Sequence, residues 1–132
     1  MSTISNTDLT ITDANVTNIK DGSGNNATTP ADLVKGRAKY WCYFKGNGTA
    51  AVQDSFNNAG FSDTGTGTYT LTIDTDFASA TYIALATVCN SSRANVSLDS
   101  LAAGSLNVNT RETDSGTFTD YEFTSVAAFG DQ

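Results

Sequence analysis

The residues of this chain that could handle protons or hold a metal are its carboxylates and two cysteines. There is no histidine in the 132 residues. That removes the commonest general base, proton shuttle and metal ligand together. A Ser-His-Asp or Cys-His site cannot be built from this chain alone. Two carboxylate groupings remain: Asp74 with Asp76, and Asp114, Asp120 and Glu122 further on. Paired acids about 5–9 Å apart across a cleft hydrolyse glycosides. These sit in Thr-rich, turn-flanked sequence, where solvated acids without a role are the expectation. The stretch Asp21, Ser23, Asn25 and Asp32 has the spacing of a calcium loop. It lacks the glycine at the sixth position, where Asn26 stands, and the bidentate Glu at the twelfth. Cys42 and Cys89 are too few and too far apart in sequence for zinc. Both lie in apolar, strand-like runs and are expected as reduced core residues; a bridge would need their strands to be neighbours. The glycine repeats lack the lysine and helix of a phosphate loop. No cofactor is implied. Trp41 and the tyrosines could stack on a sugar ring, although aromatics beside Cys42 and Phe44 are more often core or subunit contacts.

The chain that must position these groups is of single-domain length. Apolar residues make up 39%, and Thr, Ser, Asn, Gly and Asp fill the shortfall. Threonine favours strands; Asn, Asp and Gly favour turns. With one proline only, strands can run uninterrupted. The formal charge of −7 speaks against nucleic-acid and anionic-membrane partners, which need a basic patch. No segment has the basic start and apolar run of a signal peptide, or the length of a membrane span, so synthesis in a cytoplasm is expected. On that reading the N-x-[ST] triplets at Asn15, Asn26, Asn47, Asn90 and Asn95 reflect composition, not glycan sites.

Residues 1–37 contain no aromatic side chain, and Ile4, Leu9, Ile11, Val16 and Ile19 are sparse in a Thr/Asn/Asp background. Such a segment cannot build its own core. It is either a disordered tail or an extended arm that orders on a partner or sister subunit, anchored by those five residues. The alternation of Leu9 and Ile11 with Thr10 and Thr12 favours the arm. Thr29 to Gly36 predicts one helical turn, with Thr29 as cap, Pro30 at the first position and Gly36 as the stop.

From residue 38 the pattern changes to period two. Tyr40, Cys42 and Phe44 share one face of a strand and Trp41 and Tyr43 the other. Both faces are apolar, which predicts burial on both sides, with one side covering another subunit. Gly46-Asn47-Gly48 and Asp63 to Gly67 are turns. Thr49–Phe56 is a strand, followed by a loop through Gly60 and a short piece at Phe61. Tyr69, Leu71 and Ile73 alternate with threonines and point inward. Thr81–Cys89 reads as a central strand covered on both faces. Val96 with Leu98, and Leu106 with Val108, mark half-buried strands. Arg111–Asp120 is expected to be a loop around Gly116. The last strand, Tyr121–Phe129, groups Tyr121, Phe123, Ser125, Ala127 and Phe129. About seven strands separated by turns predict an all-β antiparallel sandwich or jelly-roll-like domain over residues 38–132, with an extended N-terminal arm over 1–37.

The segment KGRAKYWCYFKGNGTAAVQDSFNNAGFSDTGTGTYTLTID resembles a β-rich module found in tail-fibre and other virion proteins of tailed bacteriophages. In that family a GRAKAWV-like strand leads to an F-[NDK]-G-x-G-T turn, a strand containing S-[FY]-N, and a D-x-G-x-G-x-Y-x-[VL] strand. Here Gly36 to Lys39 and Trp41 match the first element, and Phe44, Gly46, Gly48 and Thr49 the turn. Ser55, Phe56 and Asn57 match the second strand; Asp63, Gly65, Gly67, Tyr69 and Leu71 match the third. The upstream DGSGNN and TPADLVKGRAK look like the family's lead-in segment. Tyr40 and Cys42-Tyr43 depart from the pattern. The likeness covers about a third of the chain and fades after Ile73. It carries over no catalytic residue. It implies a non-enzymatic virion component, either a tail fibre or adhesin or a capsid head-fibre or decoration protein. Its partners would be other tail or capsid proteins and copies of itself, with trimers common. Trp41, Tyr43 and the five apolar arm residues are the expected assembly contacts. The alternative expectation is a carbohydrate-binding module for a host-surface glycan.

Overall fold

The computed structural model describes Lys20, Ser23 and residues 28–132. The arm residues Ile4, Leu9, Ile11, Val16 and Ile19 lie outside the described residues, as do Asp21 and Asn25 of the calcium-like stretch. The chain divides into two units, Met1–Val34 and Lys35–Gln132. Helix α1 (Pro30–Gly36) starts as its sequence dictates. The Thr29 hydroxyl accepts from Asp32 N–H at 3.1 Å and donates to the Asp32 carboxylate at 2.7 Å, so one side chain caps the first turn.

The second unit is an all-β sandwich of two four-stranded antiparallel sheets. Its strands are β1 (Tyr40–Lys45), β2 (Ala51–Phe56), β3 (Asn58–Gly65), β4 (Thr68–Ile73), β5 (Ile83–Cys89), β6 (Ala94–Ala102), β7 (Ser105–Glu112) and β8 (Phe123–Phe129). The sheet orders are β2-β1-β8-β5 and β3-β4-β7-β6. The predicted inward sets meet between them. Tyr40, Cys42 and Phe44 face Tyr69, Leu71 and Ile73, with Leu106, Val108, Val126 and Ala128, all buried. Phe77 and Tyr82, on the crossover from β4 to β5, stack at 4.1 Å and close one end.

Three expectations are corrected. The loop at residues 57–60 is a one-residue corner, because β3 begins at Asn58 immediately after β2 ends at Phe56. Asn57 makes this sharp switch between sheets with φ of 60°. Its side chain donates to Lys39 O and Thr75 O, both at 3.0 Å, and accepts from Thr75 N–H at 2.7 Å. Next, the 111–120 loop is shorter than its polarity suggested. β7 runs to Glu112, and the chain folds back with Thr119 N–H donating to Thr110 O. Last, Thr81–Cys89 does not form a central strand covered on both faces: among the described residues β5 is the edge of its sheet, and Ile83 and Leu85 are 65% and 61% exposed. Ala84 and Ala86 turn inward against the core. The small residues therefore pack and the large ones face out, which a count of apolar residues cannot reveal.

Candidate functional site

The glycines and Tyr of the recognisable motifs converge on one structural knot. Asp63 accepts from Gly65 N–H at 3.2 Å and shapes the β3–β4 turn. Gly67 has φ of 63°, and a Cβ there would lie 2.7 Å from Thr119 N. Its N–H donates to the Asp120 carboxylate at 2.6 Å, and the Tyr69 hydroxyl donates to the same oxygen at 2.8 Å. Gly46 N–H donates to Tyr121 O and Glu122 O. Phe44, Phe61 and Tyr69 pack their rings within 4.9–5.8 Å of one another. Burial, and then the hydrogen bond to Asp120, push the Tyr69 hydroxyl pKa well above its usual range. These residues hold two turns together.

The same geometry accounts for two of the late acids. Asp120 is tied into the knot, and Asp114 pairs with Arg93 at 3.4 Å in an exposed position. Asp76 lies beside Gly104, where a Cβ would come within 2.6 Å of its carboxylate. Among the described residues no group of three or more Cys, Asp or Glu is placed to hold a metal ion. Both cysteines are free. Burial pushes the Cys42 thiol up to about 11, against a lowering hydrogen bond from Tyr40, which makes it a poor nucleophile.

What remains is a surface. The two sheets have opposite outer faces. On the β3-β4-β7-β6 sheet the outward rows are polar: Ser97, Asn109 and Thr68 in register, then Asp99, Asn107 and Thr70. Thr70 donates to Asn107 Oδ1 at 2.9 Å there. On the β2-β1-β8-β5 sheet the matching rows are Phe56, Trp41, Ala127 and Leu85, then Asp54, Tyr43, Ser125 and Thr87. The predicted contacts Trp41 and Tyr43 thus share this outer face, each half-buried. The short side chains of Ser125 and Ala127 floor a groove of about 380 Å³ along β8. Trp41 and Tyr43 wall one side, and Leu85 and Thr87 the other. Tyr43 is held by stacking on Phe123 at 5.2 Å.

Sequence reasoning missed Ile83, Leu85 and Phe56. The signal for β5 was its size alternation, with Ile83 and Leu85 against Ala84 and Ala86. Of the expected set on the last strand, Phe123, Ser125, Ala127 and Phe129 share a face of β8, which the grouping did not show to be the outer one, while Tyr121 precedes the strand and donates its hydroxyl to Arg93 O and Arg111 O.

The electrostatics sharpen the contrast. The chain carries fourteen Asp and Glu against seven Lys and Arg. Yet β5 and β8 bear no charge, and Lys45 and Asp54 are the only charged residues of β1 and β2. Fully covering a Leu or Ile side chain is worth about 1.5–3 kcal/mol, so covering Ile83 and Leu85 from their present exposure returns about 2–4 kcal/mol together. Such a face is suited to protein contact. It offers a polar ligand few groups, chiefly the Ser125 and Thr87 hydroxyls. In comparisons with known protein families, curated proteins and solved structures, nothing matches the chain.

Proposed function

We propose that this chain is a non-enzymatic structural component of a tailed-phage virion, a fibre or adhesin or a capsid decoration protein. Its β2-β1-β8-β5 face docks against another protein of the particle. The observation that carries this reading is the mainly aromatic and aliphatic face, whose four strands carry only Lys45 and Asp54 as charges, on an otherwise strongly acidic chain. The virion setting comes from the resemblance of residues 35–75 to the phage module. The motif residues support an architectural role, since Gly46, Gly67, Tyr69 and Asp120 serve the fold. Residues 1–37, the expected docking arm, would add a second attachment.

The test is detection of the protein in purified particles, with Trp41→Asp and Tyr43→Lys variants alongside. Wild type should be retained, and folded variants should be depleted. Absence of the wild-type chain from particles defeats the proposal.

A second reading, glycan recognition, draws on the half-exposed Trp41 and Tyr43 sharing one face. It requires iodide quenching of Trp41 fluorescence to fall when host-surface polysaccharide is added. Unchanged quenching removes it.

A further inference from the structure

We propose that β5 is a seam along which two copies of this chain join, edge to edge and antiparallel, so that two β2-β1-β8-β5 sheets become one eight-stranded sheet. The inference rests on reading this face as an assembly surface.

Among the described residues, the two open sheets have four edge strands, β2, β5, β3 and β6. An edge offers unpaired N–H and C=O groups to any passing strand, and proteins blunt that hazard with bulges and charges. Three of the four edges carry both devices. The β1–β2 register shifts between Tyr43 and Phe44, and β2 holds Asp54. The β3–β4 register shifts twice, and β3 holds Asp63. The β6–β7 register shifts between Asp99 and Ala102, β6 holds Asp99, and Ser100 has φ of 48°. β5 carries neither device. It pairs with β8 without a shift from Ile83↔Phe129 to Cys89↔Phe123, and IALATVC contains no charge, proline or glycine.

The occupant that fits is a second β5. Two chains of net charge −7 repel, and self-pairing of any other edge would bring that strand's Asp close to its own copy. β5 alone lets two copies approach with no carboxylate on the paired strands. An antiparallel pair of identical strands is closed by a two-fold axis. With the axis at Ala86, Leu85 of one copy stands opposite Thr87 of the other, and Ile83 opposite Cys89. The two apolar grooves then lie on one continuous surface.

Sedimentation velocity on the full chain tests this, with Leu85→Lys and Phe56→Lys. Both residues are exposed on the same face, Leu85 on the seam and Phe56 at the far edge. The expected result is a dimer for wild type and Phe56→Lys, and a monomer for Leu85→Lys with an unchanged far-ultraviolet spectrum. Thr87→Lys, also exposed, serves if Leu85→Lys does not fold. Amide exchange along 83–89 should be slow in the dimer and speed up on dilution. A wild-type monomer at the highest soluble concentration, a trimer, or a Leu85→Lys dimer overturns the seam. Loss of the dimer in Phe56→Lys as well as Leu85→Lys also overturns it, since the contact is then face to face. Any of these results leaves the docking proposal standing if Trp41→Asp still blocks incorporation into particles.

Discussion

Asn57 shows how much one side chain does in this fold. It takes a positive φ, which asparagine tolerates better than most residues, and its amide joins the ends of three segments. Asn57→Ala removes three hydrogen bonds and should cost about 2–4 kcal/mol. Asn57→Gly keeps the backbone freedom and should fall between the two in urea unfolding. Thr124 is the opposite case. Its hydroxyl is buried without a partner among the described residues, facing the core from β8. Thr124→Val should therefore stabilise by about 1 kcal/mol in the same assay; a loss would mean that the hydroxyl is satisfied. Alkaline pH probes the buried acids. Burial raises Cys42 to about 11 and lifts Tyr40, Tyr69 and Tyr82 above their usual range. Each raised group keeps its proton longer when folded than when unfolded. Its contribution is complete below the unfolded pKa, about 9 for the thiol and 10 for the phenols, and is lost as pH rises beyond it. The thermal midpoint should fall from about pH 9 upward, and a flat midpoint to pH 10.5 would contradict this.

At the scale of elements, turns and inward faces were legible and strand position was not. The alternation in Tyr69, Leu71 and Ile73 fixes the buried side of β4, because period two leaves one choice when the other side is threonine. The cap and stop of α1 were equally plain, being local chemistry. β5 was not legible: a run apolar on both faces fits a buried central strand as well as an edge strand whose outer side awaits a partner. Only long-range pairing with β8 separates the two. Nor does a glycine in sequence show whether it is crowded. Gly48 and Gly67 have φ of 64° and 63°, but a Cβ at Gly48 meets nothing, while one at Gly67 presses on Thr110 O and Thr119 N. Gly48→Ala should cost about 1 kcal/mol, from the left-handed backbone alone. Gly67→Ala should cost at least about 3 kcal/mol, because the β3–β4 turn must also move. Equal losses in parallel urea titrations would show that crowding at the knot is relieved cheaply.

At the scale of the whole molecule, the site was half legible for the same reason that β5 was misplaced. Trp41 and Tyr43 could be singled out because a second apolar face on a strand needs a cover. Which surface needed covering became visible only when β1, β8 and β5 were set side by side. Among the described residues, every core residue lies between Tyr40 and Ala128. A chain beginning at Lys35 should therefore unfold cooperatively in urea, with a free energy within about 1 kcal/mol of the full chain and a slope that scales with its own buried surface. Its fate in particles is a separate question. If residues 1–34 provide the second attachment, the shortened chain should fold normally yet be retained in particles less well than the full chain. Equal retention would place all docking on the sheet face. A shortened chain that fails to fold would show instead that the segment is part of the sandwich, and its anchoring role would have to be given up.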